Sequence, residues 1–377
     1  MRKLLTIFLT FIGIIFLCVN AKDKGIIITS AIAAEPDAAL SAPASEDNSM
    51  MAVHFIDVGQ GDATLISCGN EHMLIDAGNN DCGLKVWKYL SDNGVDKLKY
   101  VIGTHPDADH IGGLDVIIYR FDVENILMPD IVNDTPTYYD VVSTAALKGY
   151  DIIHPYVGMT FTLGNATFTV IAPNGVYEDT NDYSIGIKLT HGSNDFVLIG
   201  DAEEASETDM LMTGMDLSAE VYKVAHHGSY NGSIDPFLDA VHPTYAVISC
   251  GYGNDYEHPH NVTLNRLKER GISVFRTDEQ GTIIAISDGQ FLAWNNEPSI
   301  TWQSGVPVQN DYSSVEGSTG IIPEGTTFVL NNNSKKIHLP YCESVGDMAE
   351  YNKEYTTLSA EELIACGYSP CGRCMPG

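Results

Sequence analysis

Thr104-His105-Pro106-Asp107-Ala108-Asp109-His110-Ile111-Gly112-Gly113 decides the reading of this chain. Four donor side chains, His105, Asp107, Asp109 and His110, fall within six residues. The apolar run at 100–104 before them reads as a short buried strand. Gly112-Gly113 after them lets the backbone turn tightly into a helix. Short nitrogen and oxygen donors at a strand end can converge on a cation without long side chains. A solvated acidic loop with two incidental histidines is the plainer alternative, but four donors at this density are rare by chance.

Outward from this segment the pattern repeats in two halves. Residues 53–58, 63–67 and 72–76 read as strands around a Gly59-Gln60-Gly61-Asp62 turn, and 83–93 reads as a helix with Leu84, Val86, Trp87 and Leu90 on one face. Further strands are expected at 167–172, 184–190, 196–199, 221–225, 245–249, 273–276, 282–287 and 291–294. Helices are expected at 203–212, 236–241 and 262–270. Strand runs precede the helix-strand alternation in each half, which predicts two mixed sheets packed face to face with helices outside.

The decisive segment resembles the signature of the metallo-β-lactamase superfamily, with Asp107 in place of the usual second histidine. That variant is similar to the hydrolase domain of the ComEC competence proteins. Five further stretches match that group in order: 55–63 (FIDVGQGDA), 74–78 (LIDAG), 181–184 (NDYS), 198–203 (LIGDAE) and 223–229 (KVAHHGS), followed by His258-Pro259-His260. The resemblance implies an α/β fold, the four-layer αββα sandwich, over about 51–295. It also implies two divalent metal ions, zinc or manganese. His105 and Asp107 would serve one metal, Asp109 and His110 the other; Asp201 would bridge, and one or both of His226 and His227 would complete the site. His258 is then a ligand or a proton donor. Asp109, His227 and His258 are the expected catalytic residues, and Asn181, Ser184 and Ser229 the expected substrate contacts. Asn181 stands where most members carry a histidine. Asp107 enriches the set in oxygen, which leans toward manganese or magnesium. Two cations about 3.5–4 Å apart activate water and stabilise both oxygens of an in-line displacement. Plainer roles stay open: Asp201 as a helix cap, Asp57, Asp62 and Asp76 as turn formers or supports for the ligands.

The ends of the chain carry separate signals. Arg2 and Lys3 precede an apolar run at 4–19, so 1–34 reads as a signal peptide or a membrane anchor, and 35–50 as a linker. The expectation is a secreted protein, or one anchored at its N-terminus. Residues 296–320 read as a second linker and 321–377 as a small unit. There, His338-x3-Cys342 and Cys371-x2-Cys374 have zinc-site spacing, while two disulfides among the terminal cysteines are the alternative. The tail resembles the small metal-binding domain of the Ada family, with His338 where the methyl-accepting cysteine would stand. The resemblance implies one structural zinc on His338, Cys342, Cys371 and Cys374, and no methyl transfer.

The formal net charge of −30 disfavours loose electrostatic association with nucleic acid. A local metal cluster can still invert the field in one cleft. The leading expectation is a phosphodiesterase acting on DNA. Hydrolysis of a small extracellular ester or cell-wall phosphodiester is the second reading. A non-catalytic module that binds wall or DNA is the third. Association with a cell wall or membrane surface is compatible with each, and no obligate protein partner is implied.

Overall fold

The computed structural model describes residues 50–305 and, with gaps, 328–371. The expected leader and most of the first linker lie outside these residues, as do 306–327, Cys18, Cys366 and Cys374. Among the described residues no helix is long and apolar enough to cross a membrane.

The first half comprises β1 (Met51–Phe55), β2 (Thr64–Cys68), β3 (Glu71–Ile75), α1 (Gly83–Asp92), β4 (Lys97–Ile102), α2 (Ala108–Ile111), α3 (Leu114–Arg120), β5 (Asp122–Leu127), α4 (Pro136–Lys148) and β6 (Ile152–Ile153). The second comprises β7 (Thr160–Leu163), β8 (Ala166–Ala172), β9 (Gly186–His191), β10 (Asn194–Leu198), α5 (Glu204–Met212), β11 (Val221–Lys223), α6 (Asp235–Val241), β12 (Tyr245–Ile248), α7 (Asn261–Glu269), β13 (Ser273–Arg276), α8 (Thr277–Gln280), β14 (Ile283–Ser287) and β15 (Leu292–Trp294).

Two mixed sheets result, ordered β15-β14-β1-β2-β3-β4-β5-β6 and β13-β12-β11-β10-β9-β8-β7. Each half opens with antiparallel hairpins and goes on with parallel strands joined through helices. β14 leaves the second half and pairs with β1, Phe55 opposite Ile283, so the last hairpin completes the first sheet.

Alternation along the strands builds the layers. Ile66, Met73 and Phe196 face the space between the sheets, with Phe55, Phe168 and Leu189. Their neighbours Leu65 and Leu74 face outward onto Val86, Leu90, Leu114 and Ile117 of α1 and α3. Val197 and Tyr222 face Met210, Phe237 and Leu264 of α5, α6 and α7. This is the four-layer αββα sandwich, and each fully buried apolar side chain stabilises it by roughly 1.5–3 kcal/mol.

Two expectations need adjustment. The first strand ends at Phe55 rather than 58, because Ile56 N–H donates to Ala63 O and Asp57 accepts from Gly59 N–H to make the turn. Residues 296–305, expected as linker, are held on the domain: Ser299 N–H donates to Val274 O, Arg276 Nη1 to Gln303 O and Gly305 N–H to Pro259 O.

The C-terminal unit holds β16 (Phe328–Asn331), β17 (Lys336–His338), β18 (Lys353–Thr356) and β19 (Ser369–Pro370), in the order β18-β16-β17-β19.

Candidate metal centre

The carboxyl ends of parallel strands from both sheets meet at one edge of the sandwich, where an open α/β sheet places its ligands. Asp76 follows β3, the His105–His110 turn follows β4, Asp201 follows β10, and His226-His227 follow β11. The loop after β12 carries His258.

Four donors make a tight group. Asp201 Oδ2 lies 3.1 Å from His110 Nε2 and 3.2 Å from His227 Nε2. His227 Nε2 lies 3.3 Å from Asp109 Oδ2 and 3.3 Å from His110 Nε2. Ligands on a tetrahedral cation with bonds near 2.1 Å are separated by about 3.4 Å, so these distances fit one ion. A second set lies beside it. His105 Nε2 is 3.9 Å from Asp107 Oδ2, and His226 Nε2 is 3.7 Å from Asp201 Oδ2. His105 Nε2 and Asp201 Oδ1 are buried without a hydrogen-bond partner. Buried polar atoms are seldom left unpaired, so these two mark where a cation fits.

The far edge of each ring is committed. His110 Nδ1 meets Asp76 Oδ2 at 2.9 Å, His227 Nδ1 meets Ser249 O at 2.9 Å, and His226 Nδ1 meets Glu203 Oε1 at 2.9 Å. His105 Nδ1 stands 3.1 Å from Thr104 Oγ1 and 3.2 Å from Ser184 Oγ. A proton held on Nδ1 leaves each Nε2 a bare lone pair directed inward, the tautomer that a metal requires. Asp62 lies within reach of the same group, but it faces the Nδ1 edges: Oδ1 is 3.5 Å from His227 Nδ1, and Oδ2 is 2.5 Å from Lys223 Nζ. It supports the ligands from behind.

Backbone strain holds the geometry. Asp76, His226 and His227 have φ of 58°, 48° and 53°, the left-handed region that side chains other than glycine rarely adopt.

Electrostatics agree with a cation-accepting centre. Burial penalises the charged forms of His110 and His227, but Asp201, followed by Asp76 for one and Asp62 for the other, holds both well above the ordinary histidine value. Asp201 is held well below the carboxylate range: burial opposes its charge, and His110, His227 and His226 outweigh that. Burial, then the neighbouring His110, lowers His105 to about 4. Burial, then His227 and His226, lowers His258 to about 3.

The remaining expected residues take distinct places. Asn181 donates through Nδ2 to Glu203 Oε1. Ser184, expected at the substrate, is fully buried, and its hydroxyl lies between His105 Nδ1 and the Asp201 amide. Ser229, also expected there, is 3% exposed and accepts from Asn231 N–H. Both hydroxyls are buried and hydrogen-bonded within the protein. His258 sits at the mouth, its ring 5.3 Å from that of His226 and 6.0 Å from that of His227. The sequence reading missed Lys223, Glu203 as the partner of His226, and Gln60, whose amide joins Gly251 N and His258 Nδ1. Only the position of Lys223 three residues before the paired histidines hinted at its role.

In the C-terminal unit, pairing of β17 with β19 sets Cys371 N–H on Ile337 O and so brings His338 beside Cys371. His338, Cys342 and Cys371 are buried with ligand atoms within 4.8 Å of one another. The sulfurs of Cys342 and Cys371 are 4.0 Å apart, about twice a disulfide bond. Cys68, Cys82 and Cys250 are buried as separate free thiols.

A sandwich of this topology with an Asp/His cluster at its strand ends defines a metal-dependent hydrolase class. The family model described as the metallo-beta-lactamase superfamily matches residues 56–252, and the chain belongs to that superfamily. Within it, the chain is similar to the ComE operon protein 3 of Bacillus subtilis, 28% identical over 61% of this chain and 32% of that one. Competence protein ComA of Neisseria gonorrhoeae is 29% identical over 62% of this chain and 32% of its own length. The match thus spans about a third of these relatives. Among solved structures, the metallo-beta-lactamase fold protein YhfI of Bacillus subtilis is 14% identical, covering 65% of this chain and 100% of that one at a TM-score of 0.42.

Proposed function

We propose that the chain is a secreted phosphodiesterase that acts on DNA through two divalent metal ions, zinc or manganese. The observation that carries this is the convergence of His110, Asp201 and His227 at 3.1–3.3 Å, with Asp109 3.3 Å from His227, beside the unpartnered His105 Nε2. Asp109, His110 and His227 would hold one ion, and His105, Asp107 and His226 the other, with Asp201 shared between them. The metals, when bound, supply an activated water and neutralise the phosphate. Asp76, Ser249, Glu203 and Ser184 keep the imidazoles in register, and Lys223 balances Asp62 beneath them. His258 stays neutral, with the Gln60 amide 3.5 Å from Nδ1, so Nε2 carries the hydrogen and can donate a hydrogen bond to the leaving oxygen.

The similarity to competence proteins supports DNA as the substrate. The net charge of −30 favours the second reading, a small extracellular ester or cell-wall phosphodiester. In the tail we assign one structural zinc to His338, Cys342, Cys371 and Cys374; metal analysis of the full chain against a Cys342→Ser variant tests it.

The deciding assay gives the purified chain single-stranded DNA, plasmid and bis-p-nitrophenyl phosphate, with manganese, zinc or chelator. DNA cleavage that is lost in chelator and in Asp109→Ala is the expected result. Cleavage of the small ester alone moves the assignment to the second reading, and no turnover with any metal overturns both.

A further inference from the structure

Three of the exposed large side chains lie on the two loops that frame the candidate centre. Tyr230 follows the paired histidines and is 58% exposed; Tyr252 and Tyr256, on the loop that ends in His258, are 82% and 64% exposed. Their rings continue those of the site. Tyr256 stacks on His258 at 5.6 Å and 23°, His258 meets His260 at 4.8 Å, and His260 meets Tyr230 at 5.0 Å. A row of four rings therefore runs from the surface through the buried His258 beside the site and back, with an exposed tyrosine at each end.

The loop presenting Tyr252 and Tyr256 is fixed. The buried Asn254 donates through Nδ2 to Gly251 O and His258 O and accepts through Oδ1 from the His258 and Tyr256 amides. Gln60 Oε1 accepts from Gly251 N–H. On the other loop, Arg266 Nη1 donates to the carbonyls of Tyr230, Gly232 and Ser233. Large rings held in water by rigid loops give up apolar burial without an internal packing reason. Loops of this kind carry binding surfaces.

Resting on the phosphodiesterase reading, we propose that Tyr230 and Tyr256, with Tyr252 beside them, stack unpaired nucleobases on either side of the phosphodiester held at the metal centre. The charge distribution selects this mode over tracking of the backbone. Asp255 and Glu257 flank Tyr256 in the exposed part of its loop, and the guanidinium nearest Tyr230 is engaged with carbonyls. Among the described residues Arg266 is the cation beside Tyr230, and it is tied to three loop carbonyls and lies 4.0 Å from Asp235, while Tyr256 stands between two acidic side chains, so affinity comes from base faces, which every nucleotide offers. A duplex hides those faces, so the substrate is single-stranded. With few phosphates neutralised by Lys or Arg, binding depends only weakly on salt.

The test compares three substrates for the full chain, metal-loaded for cleavage and metal-free for binding: a labelled single strand, the same backbone with abasic sites flanking the scissile bond, and methyl p-nitrophenyl phosphate. Fluorescence anisotropy in chelator reads binding of both strands without turnover. The expected result is a preference for the intact over the abasic strand of about 30-fold or more, the effect of two stacked bases. That preference collapses toward one in Tyr256→Ala and Tyr230→Ala and returns in Tyr256→Phe. If the wild type cleaves the small ester but treats intact and abasic strands alike, the platform is overturned and the phosphodiesterase reading stands. If a p-nitrophenyl ester carrying a quaternary ammonium group outcompetes the intact strand through Tyr256, the rings serve a cation and the proposal is overturned. If no phosphodiester is cleaved, the underlying reading fails.

Discussion

His110 and His227 direct their Nε2 atoms at each other across 3.3 Å, and Asp201 Oδ2 stands 3.1 and 3.2 Å from the same two nitrogens. With Nδ1 protons engaged by Asp76 and the Ser249 carbonyl, two Nε2 lone pairs and a carboxylate oxygen face one another. Either protons or a cation must occupy that space, and the two compete.

His227→Ala should therefore lower affinity for the ion by at least a hundredfold, and Asp76→Asn, which disturbs the far edge of His110 and the Thr104 amide and hydroxyl beside it, by about 10- to 100-fold. Calorimetric titration of the chelated chain with manganese or zinc reads both. Removing a metal present at about 100 times its dissociation constant should also cost about 2.7 kcal/mol of stability. Unchanged binding in His227→Ala would place the ion elsewhere.

The sequence made the ligands legible because they cluster: four donors fall in one turn, and Asp201 and His226-His227 each directly follow an apolar run. Other features depend on partners distant in sequence. Nothing in Val221-Tyr222-Lys223 marks the ammonium as buried, since Asp62 belongs to another strand connection. The elements β5, α4, β6 and β7 went unassigned. Only Thr137, Val141 and Ala145 of α4 are buried, too small a stripe to stand out, and β6 is two residues defined by pairing with β5. Polar composition suggested a linker at 296–320, but backbone hydrogen bonds bind its first part, 296–305, and composition does not encode them.

Lys223 is 2% exposed and Asp62 3%. Burial opposes the charge of Asp62, yet Lys223 and then His227 bring its carboxyl down to about 2. Lys223→Met leaves that carboxylate unpaired inside the protein, which should cost about 3–5 kcal/mol. Combining it with Asp62→Asn removes the stranded charge and should recover much of the loss. Urea unfolding of the two singles and the double variant in chelator measures this. Equal stability of Lys223→Met and wild type would contradict a buried pair.

Gly61 tests how the first loop shapes the donor turn. Its φ is 134°, and a Cβ there would meet the Asp109 carbonyl oxygen at 2.3 Å. The same oxygen accepts from Asp62 N–H at 3.1 Å. Gly61→Ala must push away the backbone that carries Asp109 and should cost about 2–4 kcal/mol together with metal affinity. Gly59 has φ of 80° with nothing within 4 Å of its Cβ position, so Gly59→Ala should cost only about 1 kcal/mol and leave metal binding intact. Thermal melts and metal titrations of the pair separate a steric clash from a loss of backbone freedom.

His54, on β1 and 8% exposed, supplies the pH dependence away from the metal centre. Its Nδ1 meets the Tyr89 hydroxyl at 2.7 Å, and burial lowers its pKa to about 4. In the unfolded chain the same ring titrates near 6.5. Between those values the unfolded state binds a proton that the native state refuses, so stability rises with pH there and falls on acidification. This stabilisation is complete above about 6.5 and is lost as pH drops toward 4, at most about 3 kcal/mol over the window. His54→Gln keeps a polar partner for Tyr89 but cannot titrate. Subtracting its unfolding free energy from that of wild type at each pH isolates the contribution. A flat difference between pH 7 and pH 4 would mean that the ring accepts its proton as readily in the sheet as in water.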